Sequence, residues 1–265
     1  MPIEIPAFDS ASLALNAYSR YCSLVQACGS ACTADQGLGG KLLYAGELDR
    51  DGRSITIAGN VAGCSTLAAT ADLDAQKQAI RDGVVDFSVT SLDEALRILK
   101  NEIRKHSTVA VCVGKSTDEI EREMLERGVQ PDLSRQHANA DLLFGKAQGA
   151  PRSNADPEQS PAAVVWSVES LPSKWLPRFD AIALECLSPS DGWNRRWIHR
   201  LPGYIGRAGA NLRVIRSDRE FATSFVEHVR SAFEHQAIGT AATIWVESEA
   251  GPEIHNLQPA SQASV

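Results

Sequence analysis

Ser91-Leu-Asp-Glu-Ala-Leu-Arg-Ile-Leu-Lys-Asn-Glu-Ile-Arg104, then Thr108-Val-Ala-Val-Cys-Val-Gly114, then Ser116-Thr-Asp-Glu-Ile-Glu-Arg-Glu-Met124 is the stretch whose reading decides the fold. Ser91 with Glu94 and Ser116 with Glu119 both have capping-box spacing, in which the serine accepts from an orphan backbone N–H and the glutamate reaches back to the cap. Each box opens an amphipathic helix, with Leu92, Leu96, Leu99 and Ile103 on one face of the first and Ile120 and Met124 on one face of the second. Between them lies a short run of β-branched and small apolar residues, the pattern of a strand buried on both faces. With Val129 to Leu133 as the next extended piece, the order is α-β-α-β, which builds a parallel sheet covered by helices.

The rest of the chain extends this reading in both directions. Residues 9 to 27 read as a helix ended with the help of Gly29, and Lys41 to Ala45 as the first strand, closed by Gly46. Arg53 to Ala62 is open between strand and helix: its β-branched residues favour a strand, its place between two strands favours a crossover helix, and the helix is preferred. Thr66 to Ala71 reads as the second strand, Leu73 to Arg81 as a short helix stopped at Gly83, and Val84 to Val89 as another extended piece. Pro, Gly, Ser, Asn and acid dominate from Gln148 to Pro161, a linker or long loop. Beyond it Ala162 to Ser167, Asn211 to Ile215 and Thr243 to Val246 read as strands, and Trp193 to Arg200 and Ser217 to Glu234 as helices. The organisation expected is an N-terminal helical segment 1–36, an α/β domain 37–149, a linker 150–161, a smaller C-terminal α/β part 162–258 and a frayed tail 259–265.

Composition narrows the function classes. The 265 residues are 43% hydrophobic and 22% charged with a net charge of −7, so the basic footprint of a nucleic-acid binder is missing. No apolar run approaches the ~20 residues that span a bilayer. The start, Met1-Pro-Ile-Glu-Ile-Pro6, lacks the charged-then-apolar build of a signal peptide. A cytoplasmic protein with a small-molecule ligand, no nucleic acid and no membrane is the expectation, with a homodimer left open. The six cysteines follow no framework spacing and are expected as free thiols; Cys28 and Cys32 are the one close pair, and no metal site is expected.

Three blocks carry a family resemblance: Ile80 to Leu96, with Ser91-Leu-Asp-Glu-Ala-Leu96 its most specific part, Val111-Cys-Val-Gly114, and Glu126-Arg-Gly-Val-Gln-Pro-Asp132. In order and spacing they resemble the central domain of urocanase (urocanate hydratase), over roughly residues 40 to 141. A weaker similarity lies at Arg196-Trp-Ile198 and Ser217 to Phe225. The resemblance implies a Rossmann-like parallel sheet with helices on both faces. It also implies tightly bound NAD acting as an electrophile toward an imidazole acrylate, a lyase of histidine degradation. Gly46 to Gly52 would then be the phosphate loop, Asp72 the acid on a ribose hydroxyl, Gly114 and Lys115 part of a second cofactor loop, and Ser134 to Asp141, with Gln136, a third. Arg219 would meet a substrate carboxylate.

The residues at these places set up alternatives. Gly46-Glu-Leu-Asp-Arg-Asp-Gly52 puts Glu47, Asp49 and Asp51 where a dianion would sit, with Arg50 offsetting part of the charge. At ~4 Å each like-charge contact costs about 1 to 4 kcal/mol, which weakens NAD binding. For Asp72 the reading as an ordinary helix cap outweighs the ribose role, Gly114-Lys115-Ser116 is equally a tight turn, and His137 with Arg135 and Asp141 reads as a surface loop before a site. No cysteine is followed by arginine, the family's catalytic pattern, and no residue stands out as acid or base. Two functions therefore stand side by side: a urocanase-like hydratase, or a non-catalytic module binding a small molecule or a protein.

Overall fold

The computed structural model describes residues 9–29, 32–138, 162–206, 211–248 and 251–259. The chain divides into two compact units, Met1–Phe144 with Arg200–Ala208 and Gly145–His199 with Gly209–Val265. Among the described residues no helix is long and apolar enough to cross a membrane.

The first unit runs α1 (Asp9–Cys28), β1 (Leu42–Glu47), α2 (Arg50–Ala62), β2 (Ser65–Ala69), α3 (Leu73–Arg81), β3 (Phe87–Val89), α4 (Leu92–Arg104), β4 (Val109–Val113), α5 (Thr117–Glu126) and β5 (Leu133–Ser134), then a 3-10 turn over Arg135–Ala138. All five strands are parallel, in the order β3-β4-β2-β1-β5. Strand alternation sends Leu42, Tyr44, Leu67, Ala69, Val109, Val111 and Val113 to one face, where Leu92, Leu96, Leu99, Ile120 and Met124 of α4 and α5 close a continuous core. Each fully buried Leu or Val there contributes about 1.5–3 kcal/mol. The opposite face carries α2, over which α1 packs.

The segment open between strand and helix is helical. Ten residues of α2 are buried, on every side, so the helix shows little amphipathic signal. Its approach to the sheet is closer than a side chain permits: a Cβ on Gly59 would lie 2.5 Å from Leu43 Cδ2 and 2.8 Å from Thr66 Oγ1.

Several expectations are corrected. The box at Ser116 is complete, but at Ser91 only the serine half forms: Ser91 Oγ accepts from Glu94 N, while the Glu94 carboxylate accepts from Thr90 N and Thr90 Oγ1 instead. The extended piece at 84–89 is a strand only over Phe87–Val89, and the one at 129–133 only from Leu133 on. Cys28 and Cys32 are not free thiols but a disulfide, Cα atoms 6.3 Å apart. Gly29, at φ +63°, turns the chain directly after α1 and lets Cys32 return to it.

The second unit contains β6 (Ala162–Val168), α6 (Pro172–Cys186), α7 (Gly192–Arg200), β7 (Leu212–Ser217), α8 (Arg219–Glu234), β8 (Ala242–Ser248) and β9 (Gly251–Leu257). Its sheet is antiparallel, order β7-β6-β8-β9. α6 and β9 are absent from the sequence reading, and the chain stays in β9 through Leu257. Trp166 and Phe225 meet at 4.9 Å between ring centroids in the core, and Trp197 is buried with its Nε1 donating to Val214 O at 2.9 Å. The proposed linker at 150–161 lies outside the described residues.

Candidate functional site

Open parallel sheets bind ligands beyond the carboxyl ends of their strands, where the connections leave in opposite directions. Here that place is between β1 and β5, because β1 leads through α2 to β2 on one side while β5 lies on the other. A cleft of about 500 Å³ opens there, walled by Met124 and presenting Tyr44, Glu47, Glu121, Ser134 and Gln136. The β1–β2 register shifts between Tyr44 and Gly46, and Gly46, at φ +73°, lies at this irregularity on the cleft rim.

Tyr44 donates its phenol to Glu121 Oε1 at 3.2 Å. Burial first, and the Glu121 carboxylate second, push its pKa well above the ordinary phenol value, so it stays a proton donor. Beneath the strand ends burial pushes the Cys112 thiol up to about 12, with Glu47 adding to it. That thiol is a packing group, not a nucleophile.

Beside the cleft lies the first turn of α2, the phosphate-loop position. Asp49 caps it, accepting from Gly52 N at 2.7 Å. A Cβ on Gly52 would lie 1.9 Å from Glu47 O, so this glycine serves contact between helix and strand end. The expected repulsion among the acids is relieved from elsewhere in the chain. Arg135 reaches Asp49 at 3.1 Å and Asp51 at 2.9 Å, and Arg20 of α1 reaches Asp51 at 3.0 Å while donating to Ala138 O at 2.9 Å. Burial pulls the Arg135 pKa down, but Asp49 and Asp51 outweigh it and hold the guanidinium above its ordinary value. Charges that could meet a pyrophosphate are thus spent on carboxylates, and the cap uses an N–H that would point at it. The residues here do not fit a pyrophosphate held in the family manner.

The remaining candidates lie apart from the cleft. Asp72 is exposed and caps α3, its Oδ1 accepting from Asp74 N at 2.8 Å and Ala75 N at 3.2 Å. Gly114 N donates to Val89 O at 2.8 Å, Lys115 N to Val113 O at 2.9 Å and Ser116 N to Glu119 Oε2 at 3.3 Å, while Lys115 Nζ pairs with Glu123. This is a tight turn whose donors are used internally. Gln76 closes it, donating to Thr70 O, accepting from Ser88 Oγ and lying against Gly114. His137 Nδ1 accepts from Ser134 N at 3.1 Å, and Asp141 lies outside the described residues. Arg219 belongs to the second unit, at the first position of α8, with Glu253 at 3.9 Å. Of the proposed cofactor residues the cleft gathers Gly46 and Gln136, with Gly52 packed against the backbone of the cleft-lining Glu47. Tyr44, Glu121, Gln76 and Arg20 escaped sequence reasoning, because only the fold brings them to the strand ends.

Sheet order, helices on both faces and a cleft at the switch point define the Rossmann-like class of α/β domain. Within that class the family model of the urocanase Rossmann-like domain matches residues 21–145. Over those residues the chain is similar to that domain, which in the family is associated with NAD.

Proposed function

We propose that this urocanase-type domain is a binding module for a small molecule held in the β1/β5 cleft, and that it does not hydrate urocanate. One observation carries the reading: the acids over the first turn of α2 are locked to Arg135 and Arg20, so the family's anion-binding position is filled by the protein's own charges. The cleft beside it offers carboxylates at Glu47 and Glu121, the Tyr44 ring and an apolar wall, which suits a neutral or cationic ligand better than a dianion.

The test is chemical. Purified protein is denatured and the supernatant examined by absorbance and mass for NAD, and native protein is incubated with urocanate while its absorbance is followed. The reading expects no stoichiometric NAD and a constant urocanate signal. Release of one NAD per chain would overturn it, and a falling urocanate signal would restore the hydratase with its place in histidine degradation. Equal NAD affinity of the wild type and Asp72→Ala would separately remove the ribose role of Asp72.

A further inference from the structure

Another pocket lies wholly inside the second unit, where one stripe of α8 faces β9 and the adjoining β8. It measures about 200 Å³, below the ~300–1,000 Å³ of sites for drug-sized ligands. Val226 and Val246, both buried, give it an apolar floor. Four charged side chains stand around that floor. Arg219 and Glu253 face one another at 3.9 Å and compensate each other. Arg230 and Glu227 do not. They sit three positions apart on the helix, where opposite charges ordinarily pair, yet Arg230 is drawn away to His255, whose Nδ1 accepts from its guanidinium at 3.0 Å. Among the described residues neither Arg230 nor Glu227 has an ion-pair partner.

His255 keeps the two charges apart. Burial first and Arg230 second hold its imidazole below the ordinary pKa, so at neutral pH Nδ1 retains the lone pair that Arg230 uses. Its Nε2 then carries the hydrogen, with Glu253 Oε2 3.9 Å away. We infer that this pocket binds a small apolar α-amino acid as its zwitterion, with the carboxylate on Arg230, the ammonium on Glu227 and the side chain on the Val226 and Val246 floor. A plain anion answers Arg230 and is repelled by Glu227; a plain cation does the reverse. A ligand with both charges one carbon apart, beside a short hydrocarbon group, meets all three features together. Arg230 and Glu227 touch the ligand, and His255 is a positioning residue. The β1/β5 cleft takes no part, so this reading stands or falls independently of that one.

Titration of the full chain with L-valine, followed by proton–nitrogen NMR spectra, tests this. A dissociation constant of ~1 mM or tighter is expected, with the shifts on α8, β8 and β9. Isovalerate, which lacks the ammonium, and isobutylamine, which lacks the carboxylate, are each expected to bind at least about tenfold more weakly, because one charge of the pocket is left unmatched. Glu227→Gln should remove the advantage of L-valine over isovalerate, and Arg230→Gln its advantage over isobutylamine. His255→Leu should weaken L-valine about fivefold by letting Arg230 fold onto Glu227. His255→Asn, which keeps an acceptor near the place of Nδ1, should recover most of the loss, a rescue that a merely structural role does not produce. No shift at ~10 mM L-valine overturns the proposal. So does isovalerate binding as tightly as L-valine, the mark of a plain anion site, and so does an affinity for L-valine that neither Glu227→Gln nor Arg230→Gln changes.

Discussion

A methyl group on residue 52 would lie 1.9 Å from the Glu47 carbonyl oxygen, and neither backbone segment can give way without moving β1 or α2. Gly52→Ala is therefore expected to destabilise the first unit by about 2–3 kcal/mol, the upper range for overpacking. Gly203→Ala, where a Cβ meets nothing within 4 Å, should stay within about 0.5 kcal/mol; urea midpoints of the two variants check the contrast. In the second unit Asp180 is the residue whose chemistry reaches stability. Its carboxylate bonds Arg213 at 3.3 Å with side chains 10% and 5% exposed, yet burial outweighs the guanidinium and holds the pKa at about 6. A carboxyl whose folded pKa lies above its unfolded value binds a proton more tightly when folded. Its contribution is therefore complete below about pH 4 and lost as pH rises through 6, about 3 kcal/mol for a shift of roughly two units. Surface acids with lowered pKa, such as Asp93 and Glu119, run the other way. The measurement is thus the difference between wild type and Asp180→Asn: from pH 4 to 7 the wild type should lose about 3 kcal/mol relative to the variant. Parallel profiles would remove Asp180 from the account.

At the scale of elements, the two serine caps look alike in sequence and differ in the fold, and that difference is measurable. Ser116 and Glu119 satisfy each other's backbone groups, whereas Glu94 is diverted to Thr90 and leaves Ser91 with one bond. Ser116→Ala should cost about 1–2 kcal/mol and Ser91→Ala about 0.5–1, within the range for lost caps; equal losses in thermal unfolding would contradict the distinction. Caps also explain which elements were legible. α4 and α5 begin at polar side chains and bury one face, so sequence alone bounds them. α6 follows Leu171, at φ +47° with no side-chain cap, and carries Pro177 inside it, so Pro172 at its first position is a start signal that the interior proline offsets. β9 alternates poorly because it is an edge strand with little burial. Gly46 and Gly52, read as cofactor-loop residues, are in the structure a positive-φ turn at the cleft rim and a close contact of α2 with the end of β1. The site was not legible where long side chains converge: Arg20, Tyr44, Glu121 and Arg135 are neighbours only after α1, α5 and the 135–138 turn have packed around β1.

For the molecule as a whole, the two units carry separate reporters. All five tryptophans lie in the second unit, and all four tyrosines lie in the first, Tyr204 through the Arg200–Ala208 segment. Each unit also closes a core of its own, aliphatic between the parallel sheet and α4 and α5 in one, aromatic around Trp166, Phe179 and Phe225 in the other. Separate cores make separate cooperative units the default expectation for unfolding. Tryptophan emission should therefore follow the second unit alone, while tyrosine emission follows the first and far-ultraviolet circular dichroism follows both. Gly52→Ala should then shift the dichroism transition to lower urea and leave the tryptophan midpoint within about 0.2 M of wild type, whereas a change of pH acting on Asp180 should move the tryptophan midpoint first. If Gly52→Ala drags the tryptophan midpoint as far as the dichroism, the two cores melt as one and stability belongs to the whole chain. In that case a ligand in the β1/β5 cleft would stabilise the second unit as well, by linkage.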